Sequence, residues 1–175
     1  MLSNTDGMMI MVALTFVVGG TWGLYNKLHS GGPIASREVR AVDGDTLAIR
    51  GEGYIRLVGI DAPERGQTCV PMDHRAPYDC GDKARYELQI LVNRGEVRCV
   101  PHKHDVFQRI LATCMVNGLD LSQEMIVRGL AITYGDWGHR YTSDERAAKA
   151  SRLGIHSTFF DAPSVWRRAN AHLGK

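Results

Sequence analysis

The sequence predicts an α+β protein: a five-stranded β-barrel carrying three helices, preceded by one N-terminal transmembrane helix. Three observations lead there. Five short β-type runs lie between residues 39 and 116, set off by Gly, Asn, Asp or Pro. Three later or interleaved stretches carry helical spacing or helix caps. Residues 8–25 contain no charged side chain.

The elements follow in chain order. Residues 1–7 are a short tail. Residues 8–25 are eighteen uncharged residues, near the lower limit for crossing a bilayer. Trp22 and Tyr25 stand at one end, as interfacial aromatics do. No Lys or Arg precedes the run and no clear small-x-small cleavage site follows it, so it is expected to stay as an anchor; cleavage would make the protein secreted. Gly19 and Gly23 form a Gly-x-x-x-Gly pair that could seat a weak homodimer. Residues 26–36, rich in Gly, Ser and Pro, read as a linker.

The domain is expected at 37–157. Val39–Val42 and Thr46–Arg50 are strands around an Asp43-Gly44-Asp45 turn, and Tyr54–Ile60 is the third strand. Asp79–Asn93 has Ala84, Leu88, Leu91 and Val92 at helical spacing, with Asp79 or Gly81 as cap. Glu96–Pro101 and Arg109–Val116 form a hairpin. Leu119–Arg128 is a second helix stopped by Gly129. Thr142-x-x-Glu145 is a capping-box pattern opening a third helix to Leu153. Residues 158–175 read as a C-terminal tail packed on the domain; its Trp166-Arg167-Arg168 could touch nucleic acid, with a solvated terminus the favoured reading. Five short strands with three helices fit a small barrel of the OB type.

The formal net charge of the 175 residues is +2. That permits a nucleic-acid partner without demanding one, since strong non-specific binders are more basic. The cysteines stand at 69, 80, 99 and 114, with no Cys-x-x-Cys pair to suggest zinc. The midpoint between Cys99 and Cys114 falls between Val106 and Phe107, inside the hairpin turn, so the two oppose each other at disulfide distance. Cys69 and Cys80 flank the loop leading into the first helix. Bridges 69–80 and 99–114 imply an oxidising compartment. The positive charges after the apolar run, Lys27, Arg37 and Arg40, bias the opposite way, toward a cytoplasmic domain. The cysteines outweigh them, because long domains translocate largely regardless of charge. The expected location is therefore membrane-anchored, with the domain on the periplasmic or extracellular side.

The chemistry concentrates in two motifs, Asp43-Gly44-Asp45-Thr46 and Arg56-Leu-Val-Gly-Ile-Asp61-Ala62-Pro63-Glu64. Asp45 and Asp61 are oxygen ligands suited to a hard cation. Such a cation polarises a phosphoryl group or activates water. Glu64 stands three residues beyond Asp61. The planar forks of Arg56 and Arg109 match phosphate oxygens. Tyr134, Trp137 and Tyr141 cluster in a Gly-rich stretch where bases could stack.

These motifs resemble the staphylococcal nuclease (thermonuclease) family. The likeness continues through Gly81-Asp-Lys-Ala84, Asp105–Arg109, Gly118–Leu121 and Ile126–Ala131, and spans about residues 37–155. It implies the five-stranded OB-type barrel with three helices. It also implies calcium as the ion, held by Asp45, Asp61 and the backbone carbonyl of Ala62; the donors suit magnesium as well. Glu64 would orient or deprotonate the attacking water, and Arg56 and Arg109 would grip the scissile phosphate. Phe107, Tyr134 and Tyr141 would touch the substrate. The implied activity is hydrolysis of DNA and RNA with little sequence preference, leaving 3′-phosphates. Two departures stand out. Phe107-Gln108 replaces the family's Tyr-Gly, putting a non-glycine where φ > 0 is expected. His156 replaces a tryptophan. The competing class is a catalytically inactive OB-type module binding nucleic acid or protein in a cell-envelope assembly. The presence of Asp45, Arg56, Asp61, Glu64 and Arg109 argues against it.

Overall fold

The computed structural model describes residues 32–171. The expectations for residues 8–25, including the Gly19/Gly23 pair, lie outside the described residues. Among the described residues no helix is long and apolar enough to cross a membrane.

The strands are β1 (Ile34–Ser36), β2 (Val39–Ala41), β3 (Thr46–Ile49), β4 (Gly53–Leu57), β5 (Ile60–Asp61), β6 (Thr68–Pro71), β7 (Tyr78–Asp79), β8 (Val97–His104), β9 (Ile110–Val116), β10 (Leu119–Asp120), β11 (Ile132–Thr133) and β12 (Thr158–Phe159). The helices are α1 (Cys80–Val92), α2 (Leu121–Val127), α3 (Thr142–Ala150) and α4 (Pro163–Ala169). The main sheet runs β1-β8-β9-β4-β3-β2, with β10 paired to β9. The predicted five strands are the β2-β3-β4-β9-β8 path, an α+β make-up that fits the OB-type reading. Ile34–Ser36, assigned to the linker from sequence, instead pairs with β8.

Strand alternation builds the core. Ile55 and Leu57 point inward and are buried, which turns Arg56 to the opposite face. They meet Leu47, Leu88, Leu91, Leu121, Met125 and Ile126, all buried. β4 and β9 pair in parallel, Ile55 opposite Ile110. This single pairing carries Arg56 and Arg109 to the same side of the fold.

Both predicted disulfides are present. Cys99 and Cys114 are directly opposed across β8 and β9, with α-carbons 4.0 Å apart, and lie within the main core. Cys69–Cys80 belongs to a second cluster with Ile155, Tyr78, Ile132 and Phe160. The partly buried His156 ring meets Phe160 edge-on, a packing role in place of the family's tryptophan.

Several boundaries differ from the sequence reading. The run Tyr54–Ile60 is not one strand. The chain breaks at Val58–Gly59, where Gly59 has φ 82°, and Ile60–Asp61 pairs with β11 instead. α2 starts at Leu121 because the Asp120 carboxylate accepts from the Ser122 and Gln123 amides. The Thr142-x-x-Glu145 capping box does not form. Thr142 is already helical and its hydroxyl donates to the Gly138 carbonyl, while Glu145 accepts from Thr133 and pairs with Lys149. The helix also ends at Ala150, short of Leu153. Within residues 158–171 of the tail, β12 pairs with β6, and Pro163 opens α4 at a position where its missing N–H costs nothing.

Candidate active site

The turn between β2 and β3 delivers the first carboxylates. The Asp43 Oδ1 accepts from the Asp45 amide at 3.0 Å, and the Asp45 carbonyl accepts from Leu57 of β4 at 2.8 Å. Gly44 is required here, since a Cβ would lie 2.6 Å from the Ala62 Cβ and 2.7 Å from the Ala84 Cβ. The buried Asp45 carboxylate is oriented from the other side as well. Its Oδ2 accepts from the Ala62 amide at 2.8 Å, and its Oδ1 accepts from the Thr46 hydroxyl at 3.2 Å and from Arg56 Nη1.

Asp61, on β5, is fully buried. Its Oδ1 accepts from Arg56 Nη2 and from Arg167 Nη1, each at 2.8 Å, and its Oδ2 accepts from Arg167 Nη2 at 3.1 Å. Arg56 thus bridges Asp45 and Asp61, and Arg167 covers Asp61 from the side of the C-terminal helix.

Glu64 sits just past Pro63 on a loop held by Gln67. The Gln67 Oε1 accepts from the Glu64 amide at 3.0 Å, and the Gln67 amide donates to the Glu64 carbonyl at 2.9 Å. The start of α1 presses on the same carbonyl, since a Cβ on Gly81 would stand 1.8 Å from it. The Glu64 Oε1 accepts from Arg167 Nη1.

Arg109 immediately precedes β9 and is fixed by its own turn. The Asp105 Oδ1 accepts from the Phe107 and Arg109 amides, and its Oδ2 accepts from Arg109 Nε at 2.8 Å. Gln108 has φ 62°, the left-handed conformation expected from the glycine it replaces. Phe107 is exposed, with the Arg109 guanidinium 5.5 Å from its ring centre.

These side chains open onto one cleft of about 740 Å³. Asp43, Arg56, Glu64, Arg109 and Arg167 line its polar part, and Phe107, Tyr134 and Trp137 its aromatic part. Burial pushes the Asp45 carboxyl well up, Arg56 opposes that and the nearby Asp43 adds to it. Burial would lower the Arg56 pKa, but Asp45 and Asp61 outweigh it and raise it. Arg167 behaves alike: burial lowers, Asp61 and Glu64 raise, and the net direction is up. Burial also pushes the Asp105 carboxyl up, yet the hydrogen bonds from Arg109 and Phe107 prevail and hold it low.

Of the residues singled out from sequence, Arg56, Glu64, Arg109, Phe107 and Tyr134 line the cleft, and Asp45 and Asp61 lie directly beneath through Arg56. Ala62 is buried between them, its amide fixed on Asp45. Tyr141 is not in the cleft. It is 4% exposed, and its hydroxyl donates to the Asp120 Oδ2 at 2.8 Å. Trp137 takes its place, with His102 stacked on it at 4.3 Å. Two site residues escaped the sequence reading. Asp43 looked like a turn residue and is also one in fact. Arg167 looked like part of a solvated tail; Pro163 signals the helix that carries it, but no local signal names its partners.

Among the described residues no group of three or more His, Cys, Asp or Glu side chains is gathered into a metal cage. The guanidinium groups of Arg56 and Arg167 lie between the carboxylates instead. The donor chemistry still fits a hard cation: Asp45 and Asp61 are buried oxygen donors held in place by backbone and side chains, and Glu64 is adjacent.

Residues 54–158 match the family described as staphylococcal nuclease homologues. An uncharacterized endonuclease of Haemophilus influenzae is 31% identical over 139 residues, covering 75% of this chain and 72% of that protein. A micrococcal nuclease of Shigella flexneri is 29% identical over 149 residues, covering 75% and 79%. The probable endonuclease LCL3 of Verticillium alfalfae is 32% identical over 148 residues, covering 78% of this chain but 45% of the fungal protein. The chain thus spans about half the length of that larger relative.

Proposed function

From the premise that this chain belongs to the family of staphylococcal nuclease homologues and is a nuclease, we propose a calcium-dependent endonuclease that hydrolyses phosphodiester bonds of DNA and RNA with little sequence preference. One observation carries the proposal. Asp45 from the β2–β3 turn, Arg56 from β4, Asp61 from β5, Glu64 from the loop after β5 and Arg109 from the turn before β9 gather at one cleft, with Asp45 and Asp61 beneath it. The bridged pair of buried carboxylates beneath that cleft favours this reading over a binding module.

The roles follow from position. Asp45, Asp61 and the Ala62 backbone would hold the cation, which when bound supplies Lewis-acid polarisation of the phosphoryl group or its attacking water. Glu64, held by Gln67 and Gly81 but with its carboxylate at the cleft, can accept a proton from water. Arg56 and Arg109 present fork-shaped donors that stabilise charge developing on the phosphate. Asp105 keeps Arg109 aimed. Phe107, Tyr134 and Trp137 offer faces on which bases stack without sequence readout, which favours single strands.

The two disulfides support a location on the oxidising side of a membrane, with residues 8–25 as the anchor. The test of function is cleavage of single-stranded DNA, RNA and duplex DNA by the full chain in calcium and in EGTA. Single strands should be cut faster, and EGTA should stop cleavage. Unchanged cleavage in excess EGTA would remove the metal from the proposal; no cleavage with any divalent ion would favour the binding module.

A further inference from the structure

We infer that Arg167 is a built-in counter-ion of the metal pocket, which the cation must displace, so that the C-terminal helix sets metal affinity. The inference rests on the calcium reading of Asp45 and Asp61.

Arg167 makes a two-pronged contact with Asp61 and a further one with Glu64 through the same Nη1. Asp61 is a proposed ligand, and Glu64 the proposed base. One guanidinium therefore neutralises both groups at once. A bidentate guanidinium–carboxylate pair is among the stronger polar contacts a protein makes, and a cation and a guanidinium cannot share the same Asp61 lone pairs. The matched family region ends at residue 158, so Arg167 lies beyond it.

The placement is built rather than incidental. β12 pairs with β6, Phe159 opposite Val70, next to the Cys69–Cys80 bridge. Gln67, fully buried, donates from Nε2 to the Asp161 carbonyl at 2.7 Å while its Oε1 holds the Glu64 amide. One side chain thus ties the Glu64 loop to the segment that delivers Arg167. The helix itself is lightly held. Of its seven residues only Pro163 is buried, and a helix that short has little stability of its own. The Arg167 side chain is 37% exposed, so it can swing out to solvent without opening the core.

The test is calorimetric titration of calcium into the metal-free, full-length protein, comparing wild type with Arg167→Gln, Arg167→Lys and Arg168→Ala. Loss of one charge-assisted contact corresponds to roughly 10–100-fold in affinity. Arg167→Gln should tighten calcium binding by about that factor, Arg167→Lys by much less because the charge remains, and Arg168→Ala not at all. Tryptic cleavage after Arg167 in the wild type should also quicken when calcium saturates the site, which covers the case of a variant that does not fold. Unchanged or weaker binding by a folded Arg167→Gln protein overturns the competition. If calcium-dependent cleavage persists in that case, the nuclease reading survives alone. If no protein of the set binds calcium and cleavage continues in EGTA, both fall together.

Discussion

Replacing Arg56 by methionine should cost the metal-free protein about 3–5 kcal/mol of stability, the range for breaking a buried ion pair from one side. The regime is set by exposure. The Arg56 side chain is 12% exposed and those of Asp45 and Asp61 are 2% and 0%. The surface pair Arg50–Glu38, by contrast, is 82% and 64% exposed and is worth less than about 1 kcal/mol. Asp61 keeps Arg167 after the change, so the burden falls on Asp45, left with the Ala62 amide and the Thr46 hydroxyl. An orphaned buried carboxylate can shed the penalty by taking up a proton, so the loss should be greatest at neutral pH and shrink on acidification. It can also be relieved by a cation, so calcium should restore part of it. The assay is urea unfolding in EGTA with disulfides intact, for wild type, Arg56→Met and Arg50→Met as the surface control. In a parallel thermal melt the melting temperature should fall by about 10 °C. A loss below about 1 kcal/mol, or one matching the Arg50 control, would refute the claim that Asp45 depends on this charge.

Glu64→Gln should lower turnover by roughly 10²–10⁴-fold, the usual range for losing a general base, with little change in substrate affinity; wild-type turnover would assign the water to another group. Reducing both disulfides should destabilise the domain by about 3 kcal/mol per bridge in the chain-entropy model, lowering the melting temperature while leaving cleavage intact below it, since no cysteine lines the cleft. Thiol labelling of the native membrane fraction under non-reducing denaturation should find no free cysteine; labelling at Cys69, Cys80, Cys99 and Cys114 would place the domain in a reducing compartment. Burial, with the hydrogen bond to Asp120, pushes the Tyr141 hydroxyl up to about 12. Between pH 10 and 12 the unfolded chain loses this proton and the folded one keeps it, so stability should fall as pH rises through that window, by up to about 3 kcal/mol; a Tyr141→Phe protein that shows the same slope would exclude Tyr141 as its source.

Much of this site was legible because its parts are local. Asp45 and the Arg56-to-Glu64 motif lie on adjacent segments, and strand alternation alone turns Arg56 away from Ile55 and Leu57. The Cys99–Cys114 bridge was legible for the same reason: a hairpin with its turn at Asp105–Arg109 makes the two residues partners. Gln108 shows the limit of local rules in a useful way. Its residue type argued against a left-handed turn, yet its φ is 62°, because three hydrogen bonds from the turn and the Arg109 side chain to Asp105 over-determine the conformation. The failures are tertiary. The Thr142-x-x-Glu145 pattern matched a capping box, but the buried Glu145 carboxylate accepts from the Thr133 hydroxyl instead. Tyr141 looked like a stacking platform, and only the fold puts Asp120 beneath its hydroxyl.

Arg167 was illegible for a stronger reason, and that reason bears on how the site works. Its partners Asp61 and Glu64 are 106 and 103 residues away in sequence. No periodicity, cap or motif spans that distance. The contact depends on β12 pairing with β6 and on Gln67 holding the Asp161 carbonyl, neither of which a local pattern announces. The arginines of the cleft are thereby divided by their anchoring. Arg56 is locked between two buried carboxylates on a central strand, and Arg109 is held by its own turn. Arg167 rides on a helix with one buried residue. A cation entering the proposed pocket would meet one guanidinium held between two buried carboxylates and one that is more exposed. On the proposed displacement, removing Arg167 would free its contacts on Asp61 and on the Glu64 carboxylate in the same movement, coupling metal binding to release of the proposed base.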